Sequence, residues 1–139
     1  MKRVLICEFH QETNTFNPLP MKLEHFAALR YARGQEAYDL CKKLNLSNTK
    51  ILADIFHMYV ENEDFSVMGE TVDEMCHVHI NNPLTRTCPA KEENKYIRSF
   101  AESLNDAGYN KTVTIESAYN DFTKDISDAI IYLKEVFAK

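Results

Sequence analysis

Short, mostly apolar runs recur along the chain, separated by longer segments whose apolar residues are spaced as in a helix. The first run is Val4–Cys7, and later runs occupy residues 50–56, 75–80 and 112–117. Runs of this kind are typical of strands that are buried on both faces of a parallel sheet. The pattern therefore predicts about four parallel strands.

Helical spacing fills the segments that lie between and after these strands. Helices are predicted over residues 22–31, 35–44, 64–74, 92–106 and Asp125–Phe137. Gly108 suits the position just past the end of the helix predicted over residues 92–106, because glycine tolerates the left-handed conformation that often ends a helix. Strands that alternate with helices indicate βα units and a parallel sheet, so we expect a single α/β domain.

The composition narrows the class of protein and its compartment. With 139 residues, 45% of them hydrophobic and 27% charged, the chain is expected to be globular. Its formal net charge is -5 and no segment concentrates Lys and Arg, which argues against nucleic acid and anionic membranes as partners. We recognise no signal peptide, no membrane-spanning segment and no CxxC pair. We therefore expect a cytoplasmic protein with reduced thiols, in which Cys7 and Cys76 are small core residues.

Three of the predicted strands end on side chains of the kinds that bind metals. One ends at Asp54 with His57 just beyond, the next carries His77 and His79 on one face, and the last ends on Glu116. The carboxyl ends of parallel strands meet at one edge of a sheet, where ligands of α/β proteins bind. One aspartate, one histidine and one glutamate form an oxygen and nitrogen set that suits a divalent ion. Mn²⁺ is preferred, with Mg²⁺, Co²⁺ or Zn²⁺ as alternatives.

Each of these residues also has a simpler interpretation. A single histidine in a strand is more often a hydrogen-bonded core or surface residue than a ligand. An acidic residue at a strand end often caps the next helix. Three candidates at equivalent ends of three successive strands nevertheless favour a shared site.

Three motifs give the chain a family resemblance. The segments "ILADIFHMYVENED", "CHVHINNPLTRTCP" and "DAGYNKTVTIES" resemble the C-terminal half of the sugar phosphate isomerase/epimerase family. Those enzymes have a xylose-isomerase-like TIM barrel and include the ketose 3-epimerases. The resemblance covers about residues 37–139, and the motifs follow the family order, each at a strand end. It implies parallel βα units that resemble half of a TIM barrel, and a sugar as the substrate.

The resemblance also implies a role for each residue of the site. Asp54 matches the aspartate metal ligand of a D-x-x-H motif, and His57 matches the histidine that contacts substrate hydroxyls. His79 matches the metal-binding histidine, and Arg86 lies where many members have a substrate-contacting arginine. Glu116 matches the last metal ligand, which is also an acid/base group. The implied reaction is metal-dependent proton transfer on a ketose through an enediolate.

The resemblance covers only half of a barrel, which normally takes about 250 residues and eight strands. The glutamate that serves the family as fourth ligand and partner base is therefore expected to be missing, and neither Glu8 nor Glu12 is expected to replace it. A half barrel leaves strand edges and an apolar face uncovered. We accordingly expect either a homo-oligomer that completes the barrel or a marginally stable chain. Because the partner glutamate is expected to be missing, we also expect reduced or no activity. The alternative is a non-catalytic truncated fragment or an interaction module.

The first 40 or so residues resemble a different family. "FHQETNTFNP" after the first strand resembles the N-terminus of the MlrC-like (microcystinase) metallopeptidases. No ligand role is assigned to His10, Glu12 or Asn14, because polar side chains in a loop often satisfy their own backbone. We hypothesise a chimera joined near residues 35–46. A metallopeptidase fragment is the weaker functional alternative.

Overall fold

The computed structural model describes residues 9–10, 15–16, 33–45, 49–91 and 95–138. The chain divides into two compact units, Met1–Tyr31 and Ala32–Lys139. In the first unit, strand β1 (Phe9–His10) pairs antiparallel with strand β2 (Thr15–Phe16). The segment predicted as a loop therefore contains short paired strands. The predicted strand Val4–Cys7 and the predicted helix over 22–31 lie outside the described residues, and the single-domain organisation stays a prediction.

The second unit alternates strands and helices as the sequence predicts. Its elements are α1 (Gly34–Leu44), β3 (Ile51–Asp54), α2 (Ile55–Val60), a 3-10 turn (Phe65–Val67) that leads into α3 (Met68–Thr71), β4 (Met75–Ile80), α4 (Lys95–Asp106), β5 (Val113–Ile115) and α5 (Phe122–Phe137). Strand β3 ends before residue 56 because the Asp54 side chain caps the helix that begins at Ile55. Helix α5 begins at Phe122, ahead of the predicted Asp125, because Asp121 caps it.

Strands β3, β4 and β5 form a parallel sheet with β4 in the centre. One face carries Val78 and Ile80, which are both completely buried. The face packs with the apolar stripe of α4, whose buried residues include Ile97 and Phe100. Burial of each such side chain contributes about 1.5–3 kcal/mol to folding. This arrangement confirms the predicted α/β fold with parallel strands.

The opposite face of the sheet holds the polar residues. Asp54 pairs in register with His79, and Leu52 pairs with His77, so these four side chains share one face. Leu52 is 39% exposed there. Cys76 lies at a register shift between the pairs Ile51–Met75 and Leu52–His77, and it is exposed. The prediction that Cys76 is a core residue is therefore wrong, because a bulged residue leaves the regular alternation of the strand.

Candidate metal centre

Asp54 ends strand β3 and begins helix α2, and its two carboxylate oxygens face different partners. Oδ1 accepts hydrogen bonds from the backbone N–H groups of Phe56 at 2.8 Å and His57 at 3.3 Å. These bonds cap the helix, as the simpler interpretation of an acidic strand-end residue predicts. Oδ2 is left to face the site, 3.6 Å from the Nδ1 atom of His79. Capping therefore fixes the orientation of the carboxylate without using its second oxygen.

His79 lies between two carboxylates near the end of strand β4. Its Nδ1 atom is 3.1 Å from Oε2 of Glu116 and 3.6 Å from Oδ2 of Asp54. Burial lowers the pKa of this imidazole, but the carboxylates of Asp54 and Glu116 outweigh burial and raise the pKa to about 9. Burial has the opposite effect on the Asp54 carboxyl and raises its pKa. The hydrogen bonds of Asp54 with His79 and Glu116 outweigh burial, so the pKa of Asp54 is lowered overall. With a pKa raised in this way, the His79 imidazole is expected to carry a proton at neutral pH when no ion is bound.

Glu116 directly follows strand β5 and is held by residues that follow His79. Its backbone N–H donates to the Ile80 carbonyl oxygen at 3.2 Å, and its own carbonyl oxygen accepts from Nδ2 of Asn81 at 3.0 Å. The side chain reaches back toward the sheet, where Oε2 contacts His79 and Oε1 lies 3.4 Å from Nη2 of Arg86. The carboxylate therefore joins the cluster from the third strand.

The ligand atoms of Asp54, His79 and Glu116 all lie within 4.8 Å of one another. Metal–ligand distances of about 2.0–2.2 Å put donor atoms around one ion about 3–4.4 Å apart, so small side-chain movements would close the set. Two carboxylates and one imidazole, mostly shielded from water, are donors that suit a divalent cation. The residues present therefore fit a metal ion. In the described part of the chain, no further carboxylate or histidine joins this cluster. Glu8 and Glu12 are not among the described residues.

Arg86 lies at the rim of the cluster, in the loop that follows β4. It has a left-handed backbone with φ of 58°, which is uncommon for a residue with a side chain. Hydrogen bonds hold that conformation, from its N–H to the Asn82 carbonyl oxygen at 2.7 Å and from the Ala118 N–H to its own carbonyl oxygen at 2.9 Å. The guanidinium lies 4.9 Å from the ring centre of Phe56, a cation–π contact.

His57 lies on the first turn of α2, where its side chain is exposed. Its ring meets the Phe56 ring edge-on, with 5.5 Å between the ring centres. Phe56 thus separates the two side chains predicted to contact a substrate, Arg86 and His57. Sequence reasoning missed Phe56. Its position next to His57, directly after a strand end, is the signal that could have identified it.

His77 is kept apart from the ligand cluster. Its ring packs edge-on against that of His79 at 5.1 Å between centres, and burial together with His79 lowers its pKa. This geometry agrees with its expected place as an ordinary strand residue. Asn81, by contrast, contacts the backbone of the site and was missed, because only its location directly after the strand of His79 distinguishes it in the sequence.

The fold and the cluster together define a class of protein, a partial parallel α/β barrel with a candidate divalent-metal site at the carboxyl ends of its strands. The chain matches the model of the xylose isomerase-like TIM barrel family over residues 10–136. It belongs to that family, and the predicted partial TIM barrel is confirmed. No curated protein sequence matches the chain.

Several solved epimerase structures share the fold. A D-psicose 3-epimerase, determined in the presence of D-fructose, has 19% identity and a TM-score of 0.63 over 76% of this chain and 44% of its own. A D-allulose 3-epimerase from Methylomonas sp. in complex with D-allulose has 20% identity and a TM-score of 0.66 over 74% of this chain and 42% of its own. A 3-keto-D-glucoside 4-epimerase from E. coli has 21% identity and a TM-score of 0.63 over 73% of this chain and 39% of its own. The chain thus spans less than half the length of each.

The family match bears on the N-terminal segment as well. It begins at residue 10 and runs through residues 35–46, where the sequence suggested a junction between two families. The MlrC-like resemblance of the first 40 or so residues and the chimera stay predictions. Among the described residues, no helix is both long and apolar enough to cross a membrane. The cytoplasmic location stays a prediction.

Proposed function

We propose that this chain carries a divalent-metal site for proton transfer on a ketose or a related sugar. One observation carries the proposal, the convergence of Asp54, His79 and Glu116 at the ends of consecutive parallel strands. The fold that the chain shares with ketose 3-epimerases supports a sugar as the substrate. An enediolate is the intermediate expected when a proton leaves a carbon beside a carbonyl group.

The roles follow from the placement of the side chains. Oδ2 of Asp54, Nδ1 of His79 and the Glu116 carboxylate would hold the ion, for which we favour Mn²⁺ over Mg²⁺, Co²⁺ or Zn²⁺. A divalent ion bound there would stabilise the negative charge that develops on the sugar oxygens. Glu116 is the group that moves the proton, since its side chain is 29% exposed and can reach a ligand. Arg86 and the exposed His57 would bind sugar hydroxyls.

The described residues supply one acid/base carboxylate, and epimerisation needs proton transfer on both faces of the carbon. We therefore expect the chain with Mn²⁺ to exchange the C3 proton of D-psicose or D-fructose for solvent deuterium faster than it forms the epimer. Proton NMR measures both the exchange and the epimer formed, once the reaction is over and a chelator has removed the ion from the sample. Glu116→Gln should abolish exchange, because the neutral amide cannot accept the proton.

Glu102→Gln is the matched control, because Glu102 is an exposed residue of helix α4. It should leave exchange unchanged. Exchange that persists in Glu116→Gln would remove the proposed role of Glu116. A parent chain that binds Mn²⁺ but exchanges no proton would favour the alternative, a non-catalytic fragment or interaction module. The metallopeptidase alternative rests on the N-terminal sequence alone.

We infer that a second copy of the chain covers the open side of the half barrel. Leu52 is 39% exposed on the face that carries the cluster, and helix α5 exposes Phe122 at 60% and Ile130 at 43%. Exposed apolar side chains such as these are what an interface with a second copy would bury. The aligned region is 44% of the D-psicose 3-epimerase chain, so two copies would approach the size of one such barrel.

Light scattering at micromolar concentration should therefore give the mass of a dimer. Ile130→Glu is expected to shift the protein toward the monomer, because a buried charge in the interface is costly. Lys124→Glu changes the charge at an exposed polar position of the same helix and should leave the mass unchanged. A parent chain that is a monomer at this concentration would contradict the inference.

A further inference from the structure

Asn81 is a buried amide that is only partly satisfied. It follows strand β4 directly and is completely buried. Its Nδ2 atom donates to the Glu116 carbonyl oxygen at 3.0 Å, whereas its Oδ1 atom has no hydrogen-bond partner within the described part of the protein. An unpaired buried oxygen costs free energy, and an apolar side chain of similar size would avoid that cost. Stability alone therefore does not explain an asparagine here.

The bond from Asn81 occupies a place that the sheet leaves open. The ladder between β4 and β5 ends at the pair Ile80–Ile115, and the Glu116 N–H adds one more bond to the Ile80 carbonyl oxygen at 3.2 Å. In a parallel ladder every second residue of a strand bonds the same neighbour, so the N–H two residues after Ile80 would donate to the Glu116 carbonyl oxygen. That N–H belongs to Asn82 and donates instead to the Thr87 carbonyl oxygen at 2.8 Å. The Asn81 side chain supplies the missing donor.

Both backbone groups of Glu116 are thus tied to the two residues that follow His79. The Glu116 carboxylate needs this anchoring, because it lies past the last strand pair and makes two contacts at once. Oε2 is 3.1 Å from Nδ1 of His79, and Oε1 is 3.4 Å from Nη2 of Arg86. A shift of the Glu116 backbone would move the carboxylate away from both.

We propose that Asn81 is a positioning residue that sets the Glu116 carboxylate against His79 and Arg86. That this carboxylate binds a metal ion and moves a proton rests on the proposed function. That Asn81 positions it rests on the hydrogen bonds described above. Residues that orient metal ligands in this way typically change metal affinity about 10–100-fold when they are replaced.

The test uses two substitutions of the full chain. Asn81→Leu removes both polar atoms at similar volume, and Asn81→Asp keeps the shape but loses the donor. Both should weaken Mn²⁺ binding about 10–100-fold in calorimetric titration. Asn81→Asp adds a negative charge, which would strengthen cation binding if charge alone mattered. Weaker Mn²⁺ binding in Asn81→Asp would therefore indicate that the Glu116 carboxylate has moved. The EPR spectrum of the bound Mn²⁺ should change in the same variant.

A second measurement does not depend on the metal. In the metal-free protein, the Glu116 amide of Asn81→Leu should exchange with deuterium at least ~10-fold faster than in the parent chain. The Val78 amide, bonded to the Thr112 carbonyl oxygen within the sheet, serves as an internal reference and should be unaffected. Asn105→Leu is the control variant, because Asn105 also has a buried amide atom without a partner among the described residues but does not contact Glu116.

The outcomes separate the two proposals. Unchanged exchange at Glu116 in Asn81→Leu would overturn the positioning role, and so would unchanged Mn²⁺ affinity in both Asn81 variants. Equal losses in Asn105→Leu would also overturn it, since any buried amide would then have the same effect. A parent chain that binds no Mn²⁺ would overturn the proposed function, and amide exchange would still decide the role of Asn81.

Discussion

Asp54→Ala and His79→Ala are each expected to weaken Mn²⁺ binding by more than ~100-fold, a larger loss than replacement of an outer residue gives. Each substitution removes one of the three donor groups that, among the described residues, have atoms within 4.8 Å of one another. The two donor groups that remain in each variant cannot enclose a divalent ion, which would then keep most of its bound water. Titration of the metal-free chain, followed by calorimetry or by the EPR signal of free Mn²⁺, measures the change.

Matched variants separate the loss of a ligand from the loss of a helix cap. Asp54→Asn keeps an oxygen that accepts from the Phe56 and His57 N–H groups, and it should bind Mn²⁺ as weakly as Asp54→Ala while preserving more stability. Asp64→Ala removes a comparable cap, since Oδ1 of Asp64 accepts from the Ser66 N–H at 2.9 Å. It should leave Mn²⁺ affinity unchanged.

His77→Ala tests the choice between the two histidines of β4. His77 shares the sheet face of His79 but is not in the three-residue cluster. Its replacement should lower Mn²⁺ affinity only slightly, through the lost ring contact with His79. If Mn²⁺ binds equally well to the parent chain, Asp54→Ala and His79→Ala, the site is wrong.

Affinity by itself would not identify the ion used in the cell. For a site of oxygen and nitrogen donors, Mn²⁺ generally binds more weakly than Co²⁺. A tighter complex with Co²⁺ is therefore expected even if Mn²⁺ supports proton exchange best. The exchange of the sugar C3 proton with each ion is the measurement that distinguishes them.

The ligand candidates were predictable from the sequence because their geometry follows from the regular sheet. Parallel strands in sequence order place their carboxyl ends together, and the observed register pairs Asp54 with His79 directly. Alternation along a strand then puts both side chains on one face. Nothing finer than strand order and alternation is needed to bring them close.

Other features depend on backbone irregularities that no periodic pattern encodes. The exposure of Cys76 results from a register shift in β4, and the donor role of Asn81 arises because the Asn82 N–H leaves the ladder. The contact of Arg86 with Phe56 depends on a left-handed residue in the loop that follows β4. Sequence patterns predict regular elements well, whereas these contacts depend on the paths of individual loops.

The metal-free chain is expected to lose stability as the pH rises from 6.5 to 9. The carboxylates of Asp54 and Glu116 outweigh burial and raise the pKa of His79 to about 9 in the folded chain, from an ordinary value of 6.5. A folded-state pKa above the unfolded value gives stability that is fully present below pH 6.5 and lost as the pH rises through 9. The expected loss is about 2–3 kcal/mol, measured as the free energy of urea unfolding with a chelator present.

Metal binding should show the opposite dependence on pH, because the ion must displace the proton from His79. Apparent Mn²⁺ affinity is expected to rise about tenfold per pH unit between pH 6.5 and 8. His79→Gln should remove the stability loss of the metal-free chain over this range. His77→Gln should retain both trends, since burial and the neighbouring His79 lower the pKa of His77 and it titrates at more acidic pH. A stability loss of the same size in His79→Gln would show that another group causes the loss. The proton would then be carried by a group other than His79 in the protein without metal.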